Sequence, residues 1–295
     1  IWKGLVGSEM CIRDRHVRLA ACASGCMCVW LHVRLAVAAL QDNPTSASGE
    51  GSIELPARAD MCRIKADQLW EIPMPHVFDV YGTLLDVDAA AREAAAAPEM
   101  EALAASWPQL AAAWRQRQLS YSWLRTTMQR YTDFWTITQN ALDVTMAEMG
   151  MDDAQMREKL LSLYTTLTAY DEVPGVLQQL AAGGQGTGVL SNGSPDMLDS
   201  ALAAAGIAGS LDQVLSVDVL RLYKPDPAVY RLVTDAFGCS ASEVTFYSSN
   251  NWDVAGAGSF GFRTVWVNRG GKPWDDLPEP PAHQVARLTE AMTLL

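Results

Sequence analysis

The sequence predicts an α/β protein in which a doubly wound parallel sheet carries a helical cap inserted after its first strand. Two observations lead to this fold class. Short apolar runs alternate with helix-like segments through residues 171–295, as they do where parallel strands are joined by crossover helices. A helix-like pattern of spaced aromatic and leucine residues fills residues 88–170, directly after the first apolar run. A segment inserted there would lie over the strand ends and exclude water from a site beneath it.

The first strand is expected at residues 76–80, and strands and helices alternate later in the chain. Four further strands are expected, at 187–190, 213–217, 244–247 and 264–267. Helices are expected before three of these strands, at 176–182, 197–205 and 228–237. We therefore expect a core formed by residues 76–87 and 171–295, and a helical cap formed by residues 88–170.

Residues 1–75 differ from the rest of the chain in composition. They contain eight basic and eight acidic residues and five of the six cysteines, so the whole net charge of −12 lies in residues 76–295. An apolar stretch of signal-peptide length spans residues 19–31, and the pentapeptide His-Val-Arg-Leu-Ala occurs twice without a surrounding repeat. Two interpretations stay open for this non-homologous segment: a targeting sequence, or mis-translated and disordered chain. We place no function in it.

The acidic body of the chain excludes some classes of partner. It offers no overall positive field for nucleic acid or an anionic membrane, and no apolar stretch is long enough to span a bilayer. Only Cys239 follows residue 76, which is typical of a reducing compartment and predicts a cytoplasmic location. The early cysteines lack a second ligand pair at zinc spacing, so no metal site is predicted there.

The most informative motif covers residues 77–83, which read Val-Phe-Asp-Val-Tyr-Gly-Thr. The apolar run delivers one carboxylate, Asp79, to the carboxyl end of a strand, where open α/β sheets place reacting groups. Gly82 lets the chain turn back over the carboxylate and leaves backbone N–H groups free to face an anion. Tyr81 stands two positions after Asp79, where a second carboxylate would indicate a different chemistry.

Three further motifs place polar groups at strand ends or turns. Their residues are Ser191 and Asn192 after the second strand, Lys224 before a proline turn, and Ser248, Asn250 and Asp253 after the fourth strand. Taken singly, each motif is also compatible with a capped turn or a solvated lysine. Four such motifs are hard to explain as coincidence and together predict an active site. A lysine near Asp79 would depress the pKa of that carboxylate and keep it ionised as a nucleophile.

Together these motifs resemble the haloacid dehalogenase superfamily, and within it the L-2-haloacid dehalogenases, also called (S)-2-haloacid or type II. The resemblance rests on Asp-Val-Tyr-Gly-Thr, Leu-Ser-Asn-Gly-Ser-Pro, Tyr-Lys-Pro-Asp-Pro and Ser-Ser-Asn-Asn-Trp-Asp, and on cap segments at 114–119 and 121–125. It implies a doubly wound, Rossmann-like catalytic core that acts on a small 2-haloalkanoic acid and releases a halide ion; we also expect a homodimer. Leu85 and Asn251 depart from the family pattern, which bears on pocket size more than on chemistry.

The resemblance also implies roles for individual residues. Asp79 is similar to the nucleophile, and Thr83 to the hydroxyl that orients it. The other catalytic positions implied are Arg115, Ser191, Lys224, Tyr230, Ser248, Asn250 and Asp253. The substrate-binding positions implied are Val80, Tyr81, Gln116, Leu119, Phe134, Asn192 and Trp252. Arg115 and Asn192 resemble the groups that meet the departing halide. Ser191, with the backbone around residues 80 and 81, resembles the cradle for the substrate carboxylate.

The residue types favour dehalogenation without a metal or other cofactor. Phosphatases of the superfamily use a second aspartate, two positions after the nucleophile, as the acid for an alkoxide, and place both carboxylates near Mg²⁺. A halide leaves without a proton, so Tyr81 suffices, and Lys224 supplies the positive charge. The expected mechanism is attack of Asp79 on C2 with inversion, giving an ester that Asp253-activated water hydrolyses. Two alternatives stay open: a Mg²⁺-dependent phosphatase or phosphonatase of the same fold, and a capped-fold binding protein without turnover.

Overall fold

The computed structural model describes residues 10–12, 15–17, 74–87, 92, 95–96, 103 and 106–294. The chain forms two compact units, Ile1–Leu69 and Trp70–Leu295. In the first unit two short strands, β1 (Met10–Ile12) and β2 (Arg15–Val17), pair in an antiparallel manner. Apart from these two strands and residues 74–75, the segment to which the two interpretations apply lies outside the described residues.

The second unit is built on a six-stranded sheet in which every neighbouring pair is parallel. Its strands are β3 (His76–Phe78), β4 (Thr187–Ser191), β5 (Gln213–Ser216), β6 (Thr245–Ser248), β7 (Arg263–Val267) and β8 (His283–Val285). The order across the sheet is β5-β4-β3-β6-β7-β8. Strands β4 and β5 lie on one side of the central β3, and β6, β7 and β8 lie on the other. The predicted doubly wound parallel sheet is confirmed. Ligands bind such sheets beyond the central strands, where the direction of winding reverses.

Helices cover the sheet and form the inserted segment. The helices of the segment predicted as the cap are α1 (Trp107–Thr127), α2 (Phe134–Glu148) and α3 (Ala154–Leu163). Those of the predicted core are α4 (Val173–Ala182), α5 (Pro195–Ala204), α6 (Pro227–Phe237), α7 (Asn251–Phe260) and α8 (Leu288–Ala291). Local sequence explains several starts. Pro195 and Pro227 occupy the first turns of α5 and α6, and Asp133 accepts a hydrogen bond from the Thr136 amide at the start of α2 (2.8 Å).

A buried polar seam joins α1 to α2. The Trp114 indole donates to the Thr138 carbonyl at 2.8 Å, and the Gln118 amide donates to the Thr138 hydroxyl at 2.9 Å. The Gln118 side-chain carbonyl accepts from the Tyr164 hydroxyl at 3.0 Å. Because these buried groups are partnered, α1 is held in one rotational setting, and this decides which of its side chains face the core.

The two chain segments that flank the predicted cap run side by side at residues 84–85 and 169–170. The Tyr170 amide donates to the Leu84 carbonyl at 3.0 Å, and Leu85 forms an antiparallel bridge with Ala169. Both segments therefore attach to the core directly beside the loop that follows β3.

The sequence predicted five of the six strands to within two residues and missed β8. This strand lies at the sheet edge and buries only Val285 of its three residues, so it lacks the apolar run that marks the others. β3 ends at Phe78 rather than at residue 80, although the Asp79 amide still donates to the Tyr247 carbonyl of β6 (2.9 Å). Among the described helices, none is both long enough and apolar enough to cross a membrane.

Candidate active site

Asp79 follows β3 at the carboxyl edge of the sheet and is buried. Its Oδ2 accepts from the Thr83 hydroxyl and from the Asn250 amide, each at 2.9 Å, and its Oδ1 accepts from Lys224 Nζ at 3.1 Å. Gly82 turns the loop with a φ of +87°, a left-handed value that favours glycine. Three donors thus hold one carboxylate in a single orientation.

Lys224 lies in the loop before α6, and its side chain is completely buried. Its Nζ lies 3.1 Å from Asp79 Oδ1 and 2.8 Å from Asp253 Oδ2. Burial alone would lower the pKa of the lysine, but the charges of Asp253 and Asp79 outweigh this and raise the pKa above its ordinary value. The ammonium therefore stays protonated and bridges the two carboxylates.

Asp253 lies in the first turn of α7 and is completely buried. Burial raises its pKa to about 6; the nearby charge of Lys224 lowers it, and the charge of Asp79 adds to the rise. The Tyr230 hydroxyl donates to Asp253 Oδ1 at 2.8 Å. Gly256, one turn along α7, makes room for this contact, since a β-carbon there would lie 2.5 Å from the Tyr230 hydroxyl. The site thus holds a second, well-anchored carboxylate.

The ends of β4 and β6 fix the surrounding backbone. The Ser191 hydroxyl accepts from the backbone N–H two residues later at 3.1 Å, and Asn192 Oδ1 accepts from the Lys224 backbone N–H at 3.0 Å. At the end of β6, the Ser248 hydroxyl accepts from the Asn250 backbone N–H at 3.1 Å. All three predicted residues, Ser191, Asn192 and Ser248, are buried. Ser191 fixes its own turn, Asn192 holds the loop that carries Lys224, and Ser248 holds the loop that carries Asn250.

Arg115 of α1 brings a positive charge from the cap to the site. Its Nη2 donates to the Tyr81 carbonyl at 3.2 Å and to Asn250 Oδ1 at 3.1 Å. Because Asn250 itself donates to Asp79, only one side chain separates the guanidinium from the carboxylate.

The residues predicted to form the pocket wall come from both cap and core. Val80, Tyr81 and Phe134 are buried, and Leu119 and Trp252 are half-buried. The Trp252 ring contacts Trp123 of α1 edge-on, with ring centroids 5.5 Å apart. Gln116 is exposed, and the glutamine that α1 buries is Gln118. The place of Gln116 in the pocket wall therefore stays a prediction.

A cavity of about 710 Å³ opens beside these residues. Arg115, Asn250 and Trp252 line it, so it reaches the side chains that lead to Asp79. The Tyr81 hydroxyl, which does not line this cavity, is a buried polar atom with no hydrogen-bond partner among the described residues. Burial raises the pKa of Tyr81, so its hydroxyl is a neutral donor available to a bound molecule.

The arrangement suits covalent catalysis by a carboxylate. An oriented carboxylate can attack an electrophilic carbon, and a second carboxylate across a shared ammonium can accept a proton from water. Within the described residues, no group of three or more His, Cys, Asp or Glu side chains could hold a metal ion.

Sequence reasoning missed two residues that hold the loop after β3. The Ser249 amide donates to Thr83 Oγ1 at 2.8 Å, and Arg269 Nη2 donates to the Thr83 carbonyl at 2.9 Å. Ser249 stands inside a motif that was identified. Arg269 comes shortly after the apolar run of β7. The other strand ends were located by polar residues that follow an apolar run, and the same rule applies to Arg269.

Known proteins are similar to this chain over most of its length. The family of haloacid dehalogenase-like hydrolases matches residues 77–261. (S)-2-haloacid dehalogenase 1 of Pseudomonas sp. (strain CBS-3) is 44% identical over 225 residues, which cover 74% of this chain and 95% of the relative. The chain belongs to the (S)-2-haloacid dehalogenases, within the haloacid dehalogenase-like hydrolases. The family resemblance that the motifs carry is therefore confirmed. The protein is an enzyme of the hydrolase class.

Solved structures of the (S)-2-haloacid dehalogenase family share the fold. A dehalogenase crystallised as an intermediate complex has a TM-score of 0.72 and 42% identity, covering 76% of this chain and 97% of that one. The L-2-haloacid dehalogenase from Xanthobacter autotrophicus with chloropropionic acid covalently bound has a TM-score of 0.67 and 35% identity. This match covers 75% of the present chain and 98% of the Xanthobacter autotrophicus enzyme.

Proposed function

We propose that this (S)-2-haloacid dehalogenase hydrolyses short (S)-2-haloacids to (R)-2-hydroxy acids and halide, through an ester on Asp79 and with inversion at C2. The observation that carries the proposal is the setting of Asp79. Three donors orient it, and the buried ammonium of Lys224 lies 3.1 Å from its Oδ1. Dehalogenation of 2-haloacids is also the activity named in the relatives of Pseudomonas and Burkholderia cepacia.

In the first step, a carboxylate oxygen of Asp79 attacks C2 from the side opposite the halogen. The carbon–oxygen bond forms as the carbon–halogen bond breaks, halide leaves with the bonding electrons, and C2 inverts. Halide needs no proton, which fits Tyr81 at the position where an acid would otherwise be required. Thr83, Asn250 and Lys224 hold Asp79 in advance of the attack, which removes part of the orientational cost of the step.

Two anionic groups need partners in this step: the substrate carboxylate and the departing halide. Ser191 and the backbone N–H groups of residues 80–81 are proposed to hold the carboxylate, beside the ends of β3 and β4. Arg115 and Asn192 are proposed to meet the halide, supported by the contact of Arg115 with Asn250 at 3.1 Å. The alkyl group would then face the apolar wall, formed by Tyr81, Leu119, Phe134 and Trp252.

In the second step, water attacks the carbonyl carbon of the ester. Asp253 accepts a proton from the water and passes it to the substrate oxygen as the acyl–oxygen bond breaks. Asp79 regains its carboxylate, one proton goes to solvent, and C2 keeps the configuration set in the first step. The link through Lys224 Nζ supports this role, and a pKa of about 6 suits Asp253 to act as a base near neutral pH.

The site is proposed to work without a metal or other cofactor. A second aspartate two positions after the nucleophile would be needed to bind Mg²⁺ as superfamily phosphatases do, and Tyr81 occupies that position. Lys224 Nζ contacts both Asp79 and Asp253, so the positive charge that a metal would bring is supplied by the chain itself.

Incubating the full chain with each enantiomer of 2-chloropropionate tests the proposal. Chloride release should occur from the (S) enantiomer alone, and chiral chromatography should identify (R)-lactate. In a single turnover with excess enzyme in H₂¹⁸O, the label should enter Asp79 and not the product. Phosphate release from p-nitrophenyl phosphate with Mg²⁺, without chloride release, would replace the proposal with the phosphatase alternative. Binding of 2-chloropropionate without turnover would indicate a binding protein.

The division into a core of residues 76–87 and 171–295 and a cap of residues 88–170 stays a proposal, supported by the paired segments around Leu85 and Ala169. A homodimer and a cytoplasmic location also stay predictions, which gel filtration and cell fractionation test.

A further inference from the structure

Arg269 lies just beyond β7 and makes three contacts with its planar head group. Its Nη1 forms an ion pair with Glu172, and its Nη2 donates to the Thr83 carbonyl at 2.9 Å. The guanidinium carbon also lies 3.8 Å from the centroid of the Tyr170 ring. The arginine side chain is 19% exposed and that of Glu172 is 5% exposed, so the ion pair is largely shielded from water.

These contacts connect two segments that matter to the proposed chemistry. Thr83 carries the hydroxyl that donates to Asp79 at 2.9 Å. Tyr170 and Glu172 belong to the segment that returns from the cap, and the Tyr170 amide bonds back to residue 84 of the same loop. Arg269 therefore holds together the loop that carries Asp79 and Thr83 and the segment that returns from the predicted cap.

The head group at this position must be a guanidinium. It donates from two nitrogens in different directions while its flat face packs on an aromatic ring, which a lysine ammonium cannot do. The Nε–H of Arg269 is buried and has no hydrogen-bond partner among the described residues. The other contacts must offset the cost of burying that group unpaired, so the position is not arranged for stability alone.

We propose that Arg269 is a positioning residue for Asp79, acting through Thr83. By fixing the Thr83 carbonyl, it keeps the hydroxyl of the same residue aimed at Asp79 Oδ2. Because Arg269 also pairs with Glu172, the orientation of the Thr83 hydroxyl depends on where the segment that returns from the cap packs. The inference rests on the proposed function, in which Asp79 is the nucleophile.

Arg287 offers a matched control on the same carboxylate. It also pairs with Glu172, at 3.1 Å, but its side chain is 55% exposed, and the only described hydrogen bond of that side chain is to the Glu172 carboxylate. A variant at this position removes an ion pair to Glu172 without touching Thr83 or the Tyr170 ring.

The experiment compares Arg269→Ala, Arg269→Lys and Arg287→Ala in the full chain, by chloride release from (S)-2-chloropropionate. Arg269→Ala should lower kcat by ~10- to 100-fold with KM changed far less, because a misoriented nucleophile slows the reaction of bound substrate. Arg269→Lys should also lose kcat, because an ammonium lacks the two separate nitrogens that contact Glu172 and the Thr83 carbonyl and the flat face that packs on the Tyr170 ring. Arg287→Ala should stay within about threefold of the unmodified chain.

Two further readouts separate positioning from a structural role. Guanidinium ion at millimolar concentration should restore part of the kcat of Arg269→Ala, since the 710 Å³ cavity that Arg269 lines gives it access. In a Thr83→Val background, Arg269→Ala should add little further loss, because the hydroxyl through which it acts is already absent.

Equal kcat values for Arg269→Ala and Arg287→Ala, or full additivity with Thr83→Val, would overturn the inference. If Arg269→Ala does not fold by circular dichroism, Arg269→Lys decides, and unchanged kcat in that variant overturns the inference. Absence of chloride release from the unmodified chain would instead contradict the proposed function itself.

Discussion

The predicted core and the predicted cap contribute to the candidate site in different ways. Asp79, Lys224 and Asp253 come from the core, are buried, and contact one another through a single ammonium at 3.1 and 2.8 Å. Arg115 comes from the cap, is half-buried, and reaches the core at 3.1 and 3.2 Å through Asn250 and a backbone carbonyl. The predicted core therefore holds the proposed reacting groups and, with Ser191 and Asn192, part of the proposed substrate site, whereas the contribution of Arg115 depends on where the predicted cap sits.

The strongest test of this contrast is removal of the core nucleophile. Asp79→Asn should lower chloride release by at least ~10⁴-fold, because the neutral amide is a poor nucleophile and a covalent catalyst has been lost. Steady-state chloride assays measure this, with the exposed Asp196→Asn as control. More than about a hundredth of the original rate in the Asp79 variant would place the nucleophile elsewhere.

Asp253→Asn should separate the two half-reactions of the core. Attack by Asp79 can still occur, but ester hydrolysis loses general-base help worth ~10²- to 10⁴-fold. We expect one equivalent of halide in a burst, then a slow phase, and an Asp79 peptide heavier by the acyl group in mass spectrometry. Because Asp253 also holds Lys224 at 2.8 Å, some loss in the burst rate is expected. A folded variant with neither burst nor adduct would assign Asp253 to the alkylation step.

A cap variant should have a smaller effect than either core variant. Arg115→Ala should reduce kcat/KM by roughly 10²-fold, since it removes a donor near the departing halide and the contact with Asn250. Arg117→Ala, two positions along α1, removes an ion pair to Glu148 and should change kcat/KM by about threefold or less. If the two variants behave alike, the cap acts through its packing and not through the Arg115 charge.

The pH dependence should reflect the buried core carboxylate. The proposed mechanism requires the base form of Asp253, and the pKa of Asp253 is raised to about 6, so the hydrolytic step should slow as pH falls below about 6. In the acid limb the rate should fall about tenfold per pH unit, as expected for a single required deprotonation. Lys224, whose pKa is raised, should stay protonated across this range. The single-turnover rate of Asp253→Asn should not show this fall at acid pH. If the fall persists in that variant, another group causes it.

Chelation should have the smallest effect of all. Activity should be unchanged in EDTA, because Lys224 already contacts both carboxylates and Tyr81 provides no second ligand. Chloride release measured before and after dialysis against EDTA checks this. A collapse that Mg²⁺ reverses would contradict the metal-free proposal.

The sequence predicted the parts of the molecule that local patterns encode. Apolar runs locate β3 to β7 well, and the polar residues that follow them locate Asp79, Asn192 and Asp253 without structural information. β8 escaped because an edge strand with one buried residue has no such run. The reach of Arg269 to Thr83, 186 positions apart in the chain, is a product of tertiary packing and has no local signature.

Because Lys224 bridges Asp79 and Asp253, the net charge of the site changes during turnover in a defined way. With Asp79 and Asp253 ionised and Lys224 and Arg115 protonated, these four side chains sum to zero in the resting enzyme. Esterification neutralises Asp79, so under the proposed mechanism the sum becomes +1 at the moment when halide is set free beside the substrate carboxylate. The reaction thereby creates the attraction that retains its leaving group, and hydrolysis of the ester cancels it. Halide release would then be timed by the return of negative charge to Asp79.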